Sequence, residues 1–300
     1  MSVVVGHVGE EVQMLIVLKS ALLGIVQGLT EFIPVSSSGH LILVSRMFGW
    51  HDSWVPGTTT SGAINTAALA FTVALHIGTL VALLFYFNRE WIVLIKSFFT
   101  GFAKKPGRWD TNQRLAWFLV LATIPAGVVG ALWGDTIEGN LSTPFWIAIC
   151  LIGVSFVMLA AQMLGSKSRG IELIKGRDAA SAGFAQIIAL APGVSRSGIT
   201  MSGGLFSGLD FEAAARFAFL LAAPIMAGTG ILEGVKLVKH GLPPHFAQIF
   251  IPGFVLAAVV GLLAIKFMLG YLKRGTLMPF IIYRFALAAV VLIVLGFTRL

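Results

Sequence analysis

The sequence predicts an all-α polytopic membrane protein. Three observations support this fold class: hydrophobic residues make up 57% of the chain, charged residues only 11%, and long apolar segments recur from one end to the other. Soluble domains carry roughly 25% charged residues, so a water-soluble fold is not expected. No polar linker separates two cores, and residues 1–300 are therefore interpreted as a single integral membrane domain.

Six segments are long and apolar enough to cross a bilayer, which takes about 20 apolar residues. They lie at 66–87, 115–133, 144–164, 212–232, 249–270 and 279–298. Two further apolar regions, 14–49 and 180–207, are each interrupted by proline, glycine and several serines. Each interruption predicts two half-helices joined by a loop, which is a re-entrant hairpin. Irregular backbone at membrane depth is tolerated only beside protein or a wet cavity, so both hairpins indicate an internal polar site.

The two broken regions resemble each other at a constant offset of 159 residues. Gln27, Val35, Ser36, Ser38 and Gly39 align with Gln186, Val194, Ser195, Ser197 and Gly198. We interpret this as a duplication with pseudo-repeats at roughly 14–133 and 144–298; chance coincidence of small residues in membrane helices is the alternative. Lysine and arginine cluster in the connections 88–114, 165–177 and 273–274, which predicts that these are cytoplasmic. The hairpins would then enter from opposite sides, as an inverted-topology repeat.

The first broken region carries a candidate acidic site. Gln27 and Glu31 are four residues apart, so both project from one helix face and could bind a cation or a phosphate-bound metal. The alternative is a structural carboxylate at Glu31, paired with Lys19 or Arg46.

The serine run that follows is a candidate anion site. Ser36, Ser37 and Ser38 open a half-helix, where free backbone N–H groups and the helix dipole favour a phosphate. His40 follows Ser37 by three residues, so its ring could accept the hydroxyl proton on the first helical turn. The alternative is a serine-rich cap next to a core histidine.

The second broken region places Arg196 between Ser195 and Ser197 at the start of another half-helix, with Thr200 one turn later. A guanidinium makes bidentate bonds to phosphate, which predicts that Arg196 is a phosphate clamp. A buried ion pair between Arg196 and Glu31 is the alternative. Four other polar residues in apolar segments are interpreted as packing or snorkelling residues: His76, Arg216, Lys266 and Arg284.

These two segments, Gln27–His40 and Pro192–Thr200, resemble the two signatures of the undecaprenyl-diphosphate phosphatase family, UppP, also called the bacitracin resistance protein BacA family. The resemblance implies hydrolysis of undecaprenyl diphosphate to the monophosphate, which recycles the lipid carrier for peptidoglycan synthesis. It also implies a divalent cation, Mg²⁺ or Ca²⁺. Finally, it implies a multi-pass protein of the bacterial inner (cytoplasmic) membrane whose active site faces the periplasm.

The family's functional residues carry over position by position. Glu31 and Gln27 match the motif for metal or diphosphate binding, and Gln27 stands where many members carry glutamate. Ser37 and His40 match the nucleophile and its activator, with either order open. Arg196 matches the phosphate-binding arginine. Further substrate-binding hydroxyls are expected from Ser36 and Ser38 in the first loop and from Ser195, Ser197 and Thr200 in the second.

The expected partners are a polyprenyl diphosphate lipid and the bilayer. The net charge of +8 is ascribed to cytoplasmic loops, because no basic stripe with interleaved aromatic residues indicates nucleic-acid binding. The oligomeric state stays open, with a homodimer among the alternatives. A transporter or flippase of polyprenyl phosphate lipids is the alternative function, because inverted repeats with broken helices are typical of transporters. Type 2 phosphatidic acid phosphatases are disfavoured because Ile199–Leu209 lacks their second histidine.

Overall fold

The fold is a bundle of helices, seen here in a computed structural model that describes residues 2–50, 54–56, 66–240 and 246–297. Every regular element within these ranges is helical. The α-helices are α1 Ser2–Phe32, α2 Ser37–Met47, α3 Thr66–Tyr86, α4 Asn88–Gly101, α5 Thr111–Leu141, α6 Pro144–Leu164, α7 Gly176–Ile188, α8 Arg196–Ser207, α9 Phe211–His240, α10 Phe246–Leu272 and α11 Met278–Phe297. Short 3₁₀ turns lie at Pro106–Arg108 and Ile171–Leu173.

Seven helices of the described chain are long and apolar enough to cross a membrane. Six of them, α3, α5, α6, α9, α10 and α11, confirm the spans predicted from the sequence. The seventh is Gln13–Phe32 in α1, which the sequence assigned to the first broken region. The predicted first arm, from residue 14 to the break at Pro34, coincides with this span, and α1 as a whole extends over 31 residues.

Both predicted breaks occur, and they share one local geometry. The chain leaves its helical path between α1 and α2 and again between α7 and α8. Ser36 and Ser195, which correspond at the 159-residue offset, both have positive φ, 80° and 75°. Each caps the helix that follows by accepting a hydrogen bond from the backbone N–H of the glycine three residues on. The inverted repeat and the re-entrant path remain predictions.

The second broken region consists of two short helices. α7 has 13 residues and α8 has 12, and neither reaches the length needed to cross a bilayer. At the far end of α8, Arg169 forms a bidentate ion pair with the buried Asp178 and also donates to the Ser207 carbonyl oxygen. Burial alone would raise the pKa of Asp178, but the bonds from Arg169 and from the Lys175 N–H hold it below the ordinary value of an aspartate. This ion pair joins the outer ends of the two helices.

Helices α1 and α10 pack closely because glycines face each other. A side chain on Gly28 would place its Cβ 2.8 Å from the backbone nitrogen of Gly261. Ser20 Oγ donates to the Ile249 carbonyl and accepts from the Gly253 N–H at 2.9 Å. Helices in lipid associate largely through such small-residue contacts and interhelical hydrogen bonds. The C-terminal end of α1, which carries the candidate acidic residues, is therefore held firmly.

Helix α4 was not predicted from the sequence. Its apolar side chains are divided between the protein and the exterior: Leu94 is 2% exposed, whereas Ile92 is 69% and Phe99 66% exposed. Glu90 in its first turn accepts a hydrogen bond from Arg216 of α9 at 2.8 Å. An amphipathic helix of 14 residues is typical of a segment that lies at the membrane interface.

The largest buried apolar cluster surrounds α8 and α9. Phe217, Phe219, Leu205 and Met158 are all 1% exposed or less. This cluster fixes α8, and with it the position of Arg196.

Candidate active site

The tips of the two broken regions lie side by side. Ser197 Oγ of the second tip donates to the Ile33 carbonyl of the first at 3.4 Å. A side chain on Gly198 would place its Cβ 3.4 Å from Pro34 Cβ. The N-termini of α2 and α8 are therefore neighbours, and each supplies unpaired backbone N–H groups and a positive dipole end. Together they favour an anionic ligand at the junction.

Glu31 is the centre of the polar cluster at this junction. It is 7% exposed, and its Oε2 accepts hydrogen bonds from Ser37 Oγ at 2.6 Å and from Gln27 Nε2 at 3.0 Å. The predicted shared face of Gln27 and Glu31 is thus confirmed. A serine hydroxyl that donates to a carboxylate has a base in place for its proton.

Arg196 approaches the same carboxylate from the second tip. Its Nη1 lies 3.9 Å from Glu31 Oε1, within ion-pair distance but too far for a hydrogen bond. This buried nitrogen has no hydrogen-bond partner among the described residues. The pairing with Glu31 and a role in phosphate binding are therefore compatible, because a donor stays free for a ligand.

His40 does not pair with Ser37, contrary to the geometry expected from the sequence. Its Nδ1 donates to the Ser36 carbonyl at 2.7 Å, and its Nε2 lies 2.7 Å from the Tyr283 hydroxyl. The His40 ring is also stacked on the Tyr283 ring, with 5.7 Å between centroids. Both nitrogens are therefore engaged, and the carboxylate of Glu31 occupies the position beside Ser37 that was predicted for the imidazole.

Several predicted hydroxyls have structural partners. Ser36 and Ser195 accept hydrogen bonds from the N–H groups of Gly39 and Gly198 as helix caps. Thr200 is 1% exposed and donates to the Arg196 carbonyl at 2.6 Å. A substrate-binding role remains a prediction for these three residues, and also for Ser197 and for the half-buried Ser38.

Two residues that the sequence interpreted as packing residues belong to this region. His76 of α3 places its Nε2 3.7 Å from Glu31 Oε2. Arg284 of α11 is fully buried, and it donates to the carbonyl oxygens of Pro34 and Gly193, one in each tip, at 3.4 and 3.2 Å. The snorkelling interpretation of Arg284 is therefore wrong. Both residues could have been identified as charged or titratable groups deep in an apolar segment. Burying such a group in a membrane costs free energy, so it usually has an interaction partner or a functional role.

Replacing Arg284 with methionine is expected to destabilise the junction. The Pro34 and Gly193 carbonyls would lose a buried donor, and each buried acceptor left unpaired costs roughly 1–3 kcal/mol. The apparent melting temperature in detergent should therefore fall clearly, and Arg284→Lys, which keeps one charged donor, should give an intermediate value. An unchanged melting temperature of Arg284→Met would contradict the bridging role.

The possible metal ligands around Glu31 restrict the kind of cation that this site can hold. Within the described residues, no group of three or more His, Cys, Asp or Glu side chains is arranged to hold a metal ion. Next to the Glu31 carboxylate, the amide oxygen Gln27 Oε1 is buried and has no hydrogen-bond partner in the described part of the chain. Mg²⁺ commonly binds one or two carboxylates together with substrate phosphates. The residues fit a cation shared with a phosphate ligand, and they do not fit a cage made of protein carboxylates alone.

Comparisons with known proteins agree with this geometry. The family model described as bacitracin resistance protein BacA matches residues 20–290. An undecaprenyl-diphosphatase of Thermomicrobium roseum is 41% identical to this chain, over 94% of the chain and 99% of the relative. Undecaprenyl-diphosphatases of Rubrobacter xylanophilus and Thermodesulfovibrio yellowstonii are each 42% identical, over 93% of the chain and 98% and 97% of those proteins. The matched range includes both helix tips and all the residues around Glu31, and the chain therefore belongs to the bacitracin resistance protein BacA family.

Proposed function

We propose that this protein is an undecaprenyl-diphosphate phosphatase, which hydrolyses undecaprenyl diphosphate to undecaprenyl phosphate and inorganic phosphate. This reaction recycles the lipid carrier for peptidoglycan synthesis, and the family description associates it with resistance to bacitracin. The observation that carries the proposal is the hydrogen bond from Ser37 to one carboxylate oxygen of Glu31, whose other oxygen lies 3.9 Å from Arg196 Nη1. The undecaprenyl-diphosphatases that share about 40% of its residues support the choice of substrate.

The geometry supports Ser37 as the nucleophile. Ser37 Oγ would attack the terminal phosphorus while Glu31 accepts its proton, and the P–O bond to the departing undecaprenyl phosphate would break. Water would then attack the phosphoserine, releasing phosphate and restoring the hydroxyl. Arg196 and the N-termini of α2 and α8 would stabilise the charge that spreads over the equatorial oxygens in the transition state.

A divalent cation, Mg²⁺ or Ca²⁺, completes the proposed site. Glu31 and Gln27 would hold it together with a substrate phosphate oxygen. Its chemistry there would be to neutralise charge on the diphosphate. His40, held by Tyr283, remains a proposed contributor at the edge of the site rather than the partner of Ser37.

The site is proposed to lie at depth in the inner membrane and to open to the periplasm. Three predicted cytoplasmic connections meet at one end of the molecule, where Lys273 lies 3.8 Å from Glu212, Lys167 lies over the Phe211 ring, and Arg216 pairs with Glu90. Helix α8 ends at Ser207 near that end of the molecule and has 12 residues, so Arg196 at its other terminus lies about 18 Å away. That distance is more than half of a hydrocarbon core of about 30 Å.

Phosphate release from a C55 diphosphate in detergent tests the proposal. Wild-type protein should release phosphate, and removal of divalent cations with EDTA should abolish release until Mg²⁺ or Ca²⁺ is restored. Glu31→Gln keeps a hydrogen-bonding side chain but removes the base, so release should fall roughly 10²- to 10⁴-fold. Glu90→Gln, which alters a carboxylate at the interface, is the matched control. Absence of release by the wild type under any cation condition would favour lipid transport instead.

A further inference from the structure

His76 faces the Glu31 carboxylate in a fixed tautomer. Its Nδ1 lies 2.8 Å from the Thr72 carbonyl oxygen, one turn earlier in α3. A carbonyl only accepts, so Nδ1 carries the hydrogen and the lone pair of a neutral ring resides on Nε2. That nitrogen is the atom that lies 3.7 Å from Glu31 Oε2. With a neutral ring, two acceptors therefore face each other, and a positive centre between them would stabilise both.

Gln27 contributes a second buried acceptor without a partner next to this carboxylate. Its Nε2 donates to Glu31 Oε2 at 3.0 Å, which leaves Gln27 Oε1 buried without a hydrogen-bond partner in the described chain. Amide oxygen and nitrogen are nearly equal in size, so a flip of this side chain exchanges the two without repacking. After the flip, Gln27 Oε1, Glu31 Oε2 and His76 Nε2 would be three acceptors around one point.

Arg196 does not supply the missing positive charge at that point. Its Nη1 approaches Oε1, the other oxygen of the Glu31 carboxylate, at 3.9 Å. The two oxygens of Glu31 thus have different neighbours: the guanidinium on one side, and Gln27, Ser37 and His76 on the other.

We propose that His76 Nε2 is a nitrogen ligand of the divalent cation, alongside Glu31 and the flipped Gln27. This inference rests on the cation site proposed above and adds a residue that the family motif does not contain. An imidazole ligand favours first-row transition-metal ions over Ca²⁺, which prefers oxygen ligands. The hydrogen bond to Thr72 orients the ring, as a second partner commonly does for ligating histidines.

Electron paramagnetic resonance with Mn²⁺ alone as the probe tests the assignment directly. Tag-free protein in detergent would be titrated with Mn²⁺ to obtain the dissociation constant, and electron spin echo modulation would report ¹⁴N coupling from a bound imidazole. We expect ¹⁴N coupling in the wild type and its loss in His76→Gln. Loss of a hydrogen-bond partner of a metal ligand typically lowers metal affinity roughly 10- to 100-fold. Loss of the ligand itself should lower the Mn²⁺ affinity of His76→Gln by at least as much. His40→Gln is the matched control, and it should retain the ¹⁴N signal because His40 is held by Ser36 and Tyr283.

The possible outcomes separate this inference from the cation site on which it rests. Suppose that Mn²⁺ binds the wild type, does not bind Glu31→Gln, and shows no ¹⁴N coupling in the wild type. This result would overturn the role of His76 and would leave the cation site at Glu31 intact. Loss of the coupling in His40→Gln but not in His76→Gln would overturn it as well. Failure of the wild type to bind Mn²⁺ both alone and in the presence of inorganic phosphate, or equal binding by Glu31→Gln, would overturn both proposals.

Discussion

Replacing Arg196 with alanine is expected to lower the rate of phosphate release by about 10³- to 10⁵-fold, the range attributed to arginines that stabilise phosphoryl transfer. The reason is the free Nη1 donor, which lies at the N-terminus of α8 and within 3.9 Å of Glu31. Arg196→Lys should rescue little activity, because an ammonium group cannot reproduce the bidentate contact with phosphate. Single-turnover phosphate release from a C55 diphosphate would measure both variants.

The matched control for Arg196→Lys is Arg216→Lys. Arg216 donates to Glu90 through a single nitrogen at 2.8 Å, a contact that lysine can also make. This control should retain wild-type turnover and melting temperature. If Arg196→Lys were as active as the control, the guanidinium would not be a phosphate clamp.

Ser37→Ala should abolish turnover, with a loss of at least about 10³-fold, because removing a nucleophile in other hydrolases costs as much as removing its whole catalytic unit. The hydrogen bond from Ser37 to Glu31 is short, at 2.6 Å. The same substitution should prevent labelling of the protein by a substrate that carries ³²P in its terminal phosphate. Rapid acid quenching followed by detection of phosphoserine provides the measurement.

Ser45→Ala controls for the loss of a hydroxyl on the same helix. Ser45 Oγ is buried and donates to the Leu41 carbonyl within α2, at 2.8 Å, so its removal should leave labelling and turnover intact. Labelling that persists in Ser37→Ala and disappears in His40→Ala would assign the attack on phosphorus to the histidine instead.

Uniformly apolar helices could be predicted from the sequence, whereas a helix with both apolar and charged residues could not. Helices α3, α6 and α10 are long and hydrophobic, so hydropathy alone locates them. Helix α4 was missed because its apolar residues alternate with Arg89, Glu90 and Lys96 and its length falls short of a span. The first arm of the broken region, from residue 14 to Pro34, could be located from the sequence in the same way, because it coincides with the apolar span Gln13–Phe32 of α1.

The composition of the site could be predicted from the sequence more completely than its pairings. Glu31, Gln27, Ser37 and Arg196 come together as expected, because helix spacing and loop position determine where their backbones lie. The pairing of His40 depends on Tyr283, which is 243 residues away, and spacing within one helix contains no information about such a neighbour. The proximity of His76 to Glu31 likewise depends on how α3 packs, which no local motif encodes.

The glycine contact between α1 and α10 has a consequence for how the lipid reaches the site. Because Gly28 and Gly261 leave no room for sliding, and Ser20 fastens the same pair of helices, we expect α1 and α10 to move as one rigid body. The carboxylate at the end of α1 would then be a stationary anchor during turnover. Adjustment to an arriving isoprenoid chain would then fall to helices outside this pair, so cross-linking α1 to α10 should leave the catalytic cycle unimpeded.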